Sequence, residues 1–314
     1  MTSDLSPDPR LLRDASSATD RGSWLELVDR IGDEVGYFQS LGPRHWAFFR
    51  DDGPILVVSF ETLETIRAQG PGQLPLGDCV ARAEGWSHLC LIADGETWYR
   101  DAAVHRYFDR LVDDAFFEDF DRIVFYGAGM GGYAACAFSP TAPAATVIAV
   151  TPRATLEPAV AGWDPRHRTL RRLDFTDRYG YAPDMVEGTG EVFLLFDPAE
   201  PLDAMHAALF RGPHVHLQRL RNVGSPLEAA LLRMGLVGPL IAAGARGTLG
   251  PGRVARLWRA RRDDIDYVVH QLAMNAGRPR RARKVLNTAE RTFDAAELRE
   301  RLLDLHRRLS QGRG

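Results

Sequence analysis

An α/β fold with a largely parallel sheet is predicted by three observations. Short apolar runs at residues 145–150, 192–196 and 215–220 recur through the second half of the chain, each followed by polar or helix-forming sequence. Strands covered on both faces read as such continuous runs, and the intervening helices are their crossovers. Upstream, Val124-Phe125-Tyr126 feeds a glycine-lined turn and then the helix-forming stretch Met130-Gly131-Gly132-Tyr133-Ala134-Ala135. The 314 residues, 45% hydrophobic and 26% charged, suffice for one large domain with a small appendage.

Taken in order, residues 1–22 are polar and rich in Asp, Ser and Pro, and are expected to be flexible. Leu25, Leu27, Val28 and Ile31 recur at helical spacing from about Ser23. Two strand-like runs, 45–50 and 55–60, flank Asp51-Asp52-Gly53-Pro54 and read as a hairpin. An apolar run follows at 88–93. A helical pattern spans 104–117, with Tyr107, Leu111, Phe116 and Phe117 on a core face. The strand at 122–126 leads into the glycine turn. Residues 152–185 form an insertion long enough to cover the sheet's carboxyl edge as a lid. Helices are predicted near 253–262, 265–275 and 279–290, and a last one over 294–309; the pair at 265–290 resembles one unit of a helical repeat. The domain plan is therefore a flexible 1–22, a main domain over 23–250 and a helical extension over 251–314.

The net charge of -3 hides an asymmetry: residues 251–314 carry 16 Lys+Arg against 8 Asp+Glu, while the remainder carries 23 against 34. Lys284 is the one lysine, so the extension is basic through arginine. It has no aromatic interleaving and no nucleic-acid motif, so a solvated helical face or a protein contact is expected there rather than nucleic acid. No apolar run approaches the ~20 residues of a membrane span; the stretch 231–243 is interrupted by Arg233, Gly235, Gly238 and Pro239. With no secretory signal at the start, a cytoplasmic location is expected. Cys79, Cys90 and Cys136 form no C-x-x-C pair and are expected to be reduced, the last two in apolar segments.

The turn carries the functional question. Gly127 and Gly131 stand where a G-x-S-x-G motif has its flanking glycines, and Gly129 stands at the serine position. The same residues satisfy G-x-G-x-x-G, but no acidic residue ends the next strand, where Val150 runs into Thr151-Pro152-Arg153, so dinucleotide binding is the weaker reading.

Tyr126 to Ala135 is similar to the Y-G-S-S-M-G-G-Y-A-A elbow of bacterial α/β-hydrolase-like proteins associated with polysaccharide and accessory-secretion loci. The resemblance covers roughly residues 44–240. It implies an α/β-hydrolase-like, mostly parallel sheet covered by helices, here with a C-terminal α-helical extension, and a triad in the order nucleophile, acid, histidine. Asp197, ending the run at 192–196, matches the acid. Ser225, in Asn222-Val223-Gly224-Ser225-Pro226, stands where the histidine belongs. Gly129, Asp197 and Ser225 thus form a degenerate triad, and losing either missing member removes most of the rate because the members act as a unit.

Substitutes are Ser59, at the end of its strand near the oxyanion-type loop, with Asp203 and His206 just beyond the acid. His88 and Cys136 read as core residues. His214 and His216 share a strand without a third ligand, so no metal is expected. Without a side chain at 129, the amides of Met130 and Gly131 are reachable. A small anionic or carbonyl ligand is expected there, in contact with Gly127, Gly129, Met130 and Gly131 and with Tyr126 or Tyr133 along the wall. No cofactor is implied.

The chain as a whole also resembles bacterial proteins labelled phosphoadenosine phosphosulfate reductase. That chemistry requires an S-G-G-x-D-S type phosphate loop and a C-terminal E-C-G cysteine, and the last cysteine here is Cys136. Three classes of function remain: a noncatalytic ligand or partner binder, an acyl-transfer or hydrolytic enzyme with a relocated nucleophile, and an interaction protein acting through the extension.

Overall fold

The computed structural model of the chain describes residues 14–170, 172–224 and 226–311. Eight strands form one sheet: β1 (Gly36–Ser40), β2 (His45–Arg50), β3 (Ile55–Thr62), β4 (Ser87–Ala93), β5 (Arg122–Ala128), β6 (Thr146–Val150), β7 (Glu191–Phe196) and β8 (Val215–Arg219). Their spatial order is β1-β2-β4-β3-β5-β6-β7-β8. β2 runs antiparallel to both of its neighbours and every pair from β4 to β8 is parallel. This is the strand order of the α/β-hydrolase fold.

Fourteen α-helices lie among the described residues: α1 (Arg21–Val35), α2 (Leu63–Gln69), α3 (Leu76–Glu84), α4 (Ala102–Asp113), α5 (Met130–Ala137), α6 (Pro158–Ala161), α7 (Ala182–Met185), α8 (Pro201–Ala207), α9 (Leu227–Arg233), α10 (Val237–Ala245), α11 (Pro251–Leu257), α12 (Ile265–Met274), α13 (Pro279–Ala289) and α14 (Ala295–Gln311). One sheet face packs Leu56, Val58, Phe60 and Phe125 against α4 and α5. The other packs Val57, Val124, Tyr126 and Ile148 against α9 and α10, and Phe48, Cys90 and Ile92 against α1. This two-sided cover explains why the central strands read as unbroken apolar runs.

The expected hairpin at 45–60 does not exist. β4 lies between β2 and β3, pairing Phe48 with Cys90 on one side and Ser59 with Cys90 on the other. The turn at 51–54 has hairpin chemistry, but the fully buried β2 gains more from β4 and β1 than from its sequence neighbour. β1 escaped prediction because its five residues are only partly buried and follow α1 without a break. The predicted helix over 104–117 ends at Asp113 and continues as a short 3-10 turn, Phe116–Asp119.

Residues 1–13 lie outside the described region, and Ala15 and Ala18 already pack in the core with Trp24. In the extension, Val268, Val269, Ala289 and Leu298 form a small separate core. No single helix among the described residues is long and apolar enough to cross a membrane; the bent pair Leu227–Arg233 and Val237–Ala245 passes that test only jointly, across a 90° break.

Candidate functional site

The turn between β5 and α5 is set by close backbone approach. A Cβ on Gly127 would lie 2.1 Å from the Gly131 carbonyl oxygen, and one on Gly131 would lie 2.2 Å from that of Phe60. Neither position can carry a side chain, so both glycines are dictated by packing. Gly129 differs: a Cβ there would meet nothing within 4 Å. Its backbone sits at φ 55°, ψ -114°, a region costly to any other residue. The conformation is pinned by its N–H donating to the Val150 carbonyl at 2.8 Å and by its carbonyl accepting from Tyr133 N–H at 3.0 Å.

Asp197 follows β7 as expected, and its oxygens are engaged by backbone. Oδ1 accepts from the N–H groups of Ala199 (2.8 Å) and Asn222 (3.0 Å), and Oδ2 from Val223 N–H (2.7 Å). Asp197 does not cap α8, whose N-cap is Glu200 without a side-chain bond; it ties the end of β7 to the loop after β8. Ser225 lies outside the described residues. Beside it, the imidazole of His270 from α12 stacks over Gly224.

Ser59 lies inside β3 rather than at its edge, and it is 0% exposed. Its surroundings imitate a triad, with Ser59 Oγ 2.9 Å from His88 Nε2 and His88 Nδ1 4.0 Å from Asp78 Oδ1. The protons run the wrong way for one. The Ser59 hydroxyl donates to Glu61 Oε1 at 2.7 Å, so His88 Nε2–H is the donor to Ser59, and Nδ1 faces Asp78 without a hydrogen bond. Burial, with the charge of Arg50, pulls His88 down to about 3. Asp78 is committed to Arg50 at 2.6 Å. Glu61, His88 and Cys90 offer ligand atoms within 4.8 Å of one another, but Ser59 already bonds Glu61 and His88 there.

Asp203 and His206 belong to a second knot, under the segment between β6 and β7. His206 is 0% exposed; its Nδ1 accepts from Ala154 N–H at 3.1 Å and its Nε2 donates to Asp164 at 3.0 Å. Burial, outweighing the Asp164 hydrogen bond, lowers it to about 4. Asp203 pairs with Arg153 (3.0 Å) and Arg166 (2.6 Å). Both side chains therefore fasten this segment to α8, and His206 has no nitrogen left to serve as a base. Tyr133 is likewise 0% exposed, and its hydroxyl donates to the Tyr179 carbonyl at 2.5 Å. His214 and His216 do not share a strand: His214 lies in the turn before β8 and bonds the Val186 carbonyl, while His216 is in β8 and pairs with Glu191.

A cavity of about 260 Å³ opens beside the turn. Met130, Gly131 and Tyr126 line it; Gly127, Gly129 and Tyr133 do not. Glu61 and Glu228 also line it, and no Lys, Arg or His does. Burial, reinforced by Glu61, holds the Glu228 carboxyl up at about 7. The Tyr126 hydroxyl is buried without a hydrogen-bond partner, and burial followed by the charges of Glu228 and Glu61 raises its pKa. Sequence reasoning missed both glutamates. The available signal was an acid directly ending the apolar run of β3, and another in the first turn of an apolar helix. A larger cavity, about 720 Å³, lies at the opposite end of β5 and β6 near Arg122 and Thr146, away from the turn.

Strand order and the Gly129 turn define an α/β-hydrolase-like fold. No protein-family model matches the chain, and no curated protein matches it. Among solved structures, it is similar to the esterase domain of a Rhodothermus marinus protein, at 18% identity over 67% of this chain and 96% of that one, with a TM-score of 0.39. A Pyrobaculum calidifontis esterase is 13% identical over 78% of this chain and all of that one, with a TM-score of 0.42. A glycosylation-associated protein complex from Streptococcus agalactiae (Gap123) is 14% identical over 63% of this chain and 44% of that one, with a TM-score of 0.44.

Proposed function

We propose that this chain is a hydrolase-fold protein without a Ser-His-Asp triad that binds a small ligand in the cleft beside Gly129. The observation that carries the reading is Gly129 itself: the strained backbone of a nucleophile elbow is kept, with open space for a side chain that is absent. Three engaged acceptor bonds on Asp197 support the loss of its role toward a histidine. On this reading, residues 23–250 form the binding domain, 152–185 covers it, and 251–314 offers a surface to a protein partner. An anion at the Met130 and Gly131 amides would face Glu61 and Glu228, so a neutral carbonyl group suits those amides better.

The alternative of a relocated nucleophile at Ser59 is opposed by its complete burial and by the direction of its hydrogen bond. A sulfonucleotide reductase lacks its thiol: Cys136 is buried, and burial raises its pKa. The test is covalent. A fluorophosphonate, which reacts only with an activated serine, should leave the chain unlabelled, and Gly129→Ser together with Ser225→His should create ester hydrolysis. Labelling of the unaltered chain would overturn the reading.

A further inference from the structure

We propose that the cavity beside Gly129 takes a small organic ammonium ion, its head group between Glu61 and Glu228 and its apolar stem along Met130 and Leu232. This rests on the reading of the cleft as a ligand site and names the chemical class of the ligand.

Three independent features support a cation. The lining contains Glu61 and Glu228 with Glu64 and Glu96, and no basic residue among the described ones. Glu228 has no hydrogen bond or ion pair to any described cation, unlike Asp78, Asp164 and Asp264, each of which has its arginine. The Tyr126 hydroxyl is 98% removed from solvent with its residue and has no hydrogen-bond partner, although it lines the same cavity. A buried hydroxyl without a partner is costly, so native structures rarely leave one without a use. An ammonium group has several N–H donors, so one can reach the phenol oxygen while others reach the Glu61 and Glu228 carboxylates.

The rest of the lining separates an organic cation from a metal ion. A hard divalent ion takes six or more oxygen ligands. Here Glu61 already accepts from Ser59, Leu76 N–H and Gly77 N–H, and much of the remaining wall is Phe60, Leu76, Ala128 and Leu232. Carboxylates together with apolar and aromatic surface in one cavity match an alkylammonium, to which an aromatic face also contributes. At about 30 Å³ for one water, the volume suits a ligand of roughly eight non-hydrogen atoms. The Glu228 carboxyl, held up at about 7, is partly protonated in neutral solution. A bound cation would take the place of that proton.

The experiment is calorimetric titration of the full chain with n-butylammonium, n-butanol, butyrate and calcium chloride separately. Butylammonium should bind at least tenfold more tightly than the other three, and Glu228→Gln and Tyr126→Phe should each weaken it by tenfold or more. Tyr126→Phe keeps the packing volume, so it reads the hydroxyl even where the other variant perturbs the fold. Butanol or butyrate binding as tightly as butylammonium would overturn the ammonium assignment and leave the cleft reading intact. Calcium binding in place of butylammonium would also overturn it. Silence from all four would count against both the assignment and the cleft reading.

Discussion

The imidazole of His270 occupies the place of a Gly224 side chain: a Cβ on Gly224 would lie 2.3 Å from the ring's Cγ and Nδ1. The glycine also has φ +74°, where other residues are strained. The helical extension is thus seated on the loop after β8 through one glycine. Gln271 donating to the Asn222 carbonyl at 2.7 Å and Arg233 pairing with Asp264 at 2.7 Å add to that seat.

Gly224→Ala should unseat α12. The clash involves the root of the ring, which cannot swing away as a flexible tip would, and the backbone strain adds to it. A loss on the order of 2 kcal/mol is expected, appearing first as faster amide exchange in α12 and α13 with the sheet unaffected. Equal exchange rates in the two proteins would show that the helix adjusts freely.

Asp197→Ala should destabilise the chain by about 2–4 kcal/mol, because three backbone N–H groups lose their acceptor at once. Urea denaturation measures it. A loss below about 1 kcal/mol would mean that water replaces the carboxylate, and the residue would then be a remnant without structural work.

Acid should unfold this protein early. His45, His88, His105 and His206 are buried, and burial is the first cause that lowers them to about 4, 3, 4 and 4 from 6.5. Because the folded values lie below the unfolded one, their contribution to stability is complete above pH 6.5 and is lost as pH falls toward 4. Burial raises the Asp164 carboxyl, but the hydrogen bonds from Arg166 and His206 together with the Arg166 charge outweigh it and hold the group below its ordinary value of 3.8, which acts in the same direction. The midpoint of acid unfolding, followed by tryptophan fluorescence, is expected above pH 4; a chain still folded at pH 3 would contradict this.

Glu228→Gln should act at the other end of the scale. The folded pKa of Glu228 is raised from 4.5 to about 7, so its contribution is complete below pH 4.5 and is lost as pH rises through 7. The glutamine variant should therefore gain stability at pH 8, by about 1 kcal/mol once partial exposure is allowed for, with little change at pH 4.5. Thermal melts at the two pH values check it, and a destabilised variant at pH 8 would show that the charge is paired.

What the sequence disclosed followed from local chemistry. The apolar runs at β6 and β7 and the glycine pattern of Gly127 and Gly131 depend on residues a few positions away, and both were legible. The partner of β2 is β4, some forty residues on, and only the burial of both its faces selects that pairing over the adjacent β3. Ser59 was placed at an edge because a serine after four apolar residues looks like a strand end, whereas it continues β3 and closes an internal hydrogen-bond knot. Asp197 was found but its role was not, since two of its donors lie at residues 222 and 223. Glu228 did carry a local signal, an acid in the first turn of the apolar α9, whereas His270 acts through Gly224 in a distant loop and no local pattern marks it.

In genetic terms, a glycine encoded by GGC or GGT lies one base change from serine or cysteine, whereas one encoded by GGA or GGG lies further from serine. The space around the missing Cβ of Gly129 is open, so such a change would meet backbone strain but no collision. Gly127 and Gly131, pressed against carbonyl oxygens, have no such freedom. On the proposed reading, a side chain at position 129 is the easier feature to supply, while a base would have to be built in a loop bound to Asp197 and packed under His270.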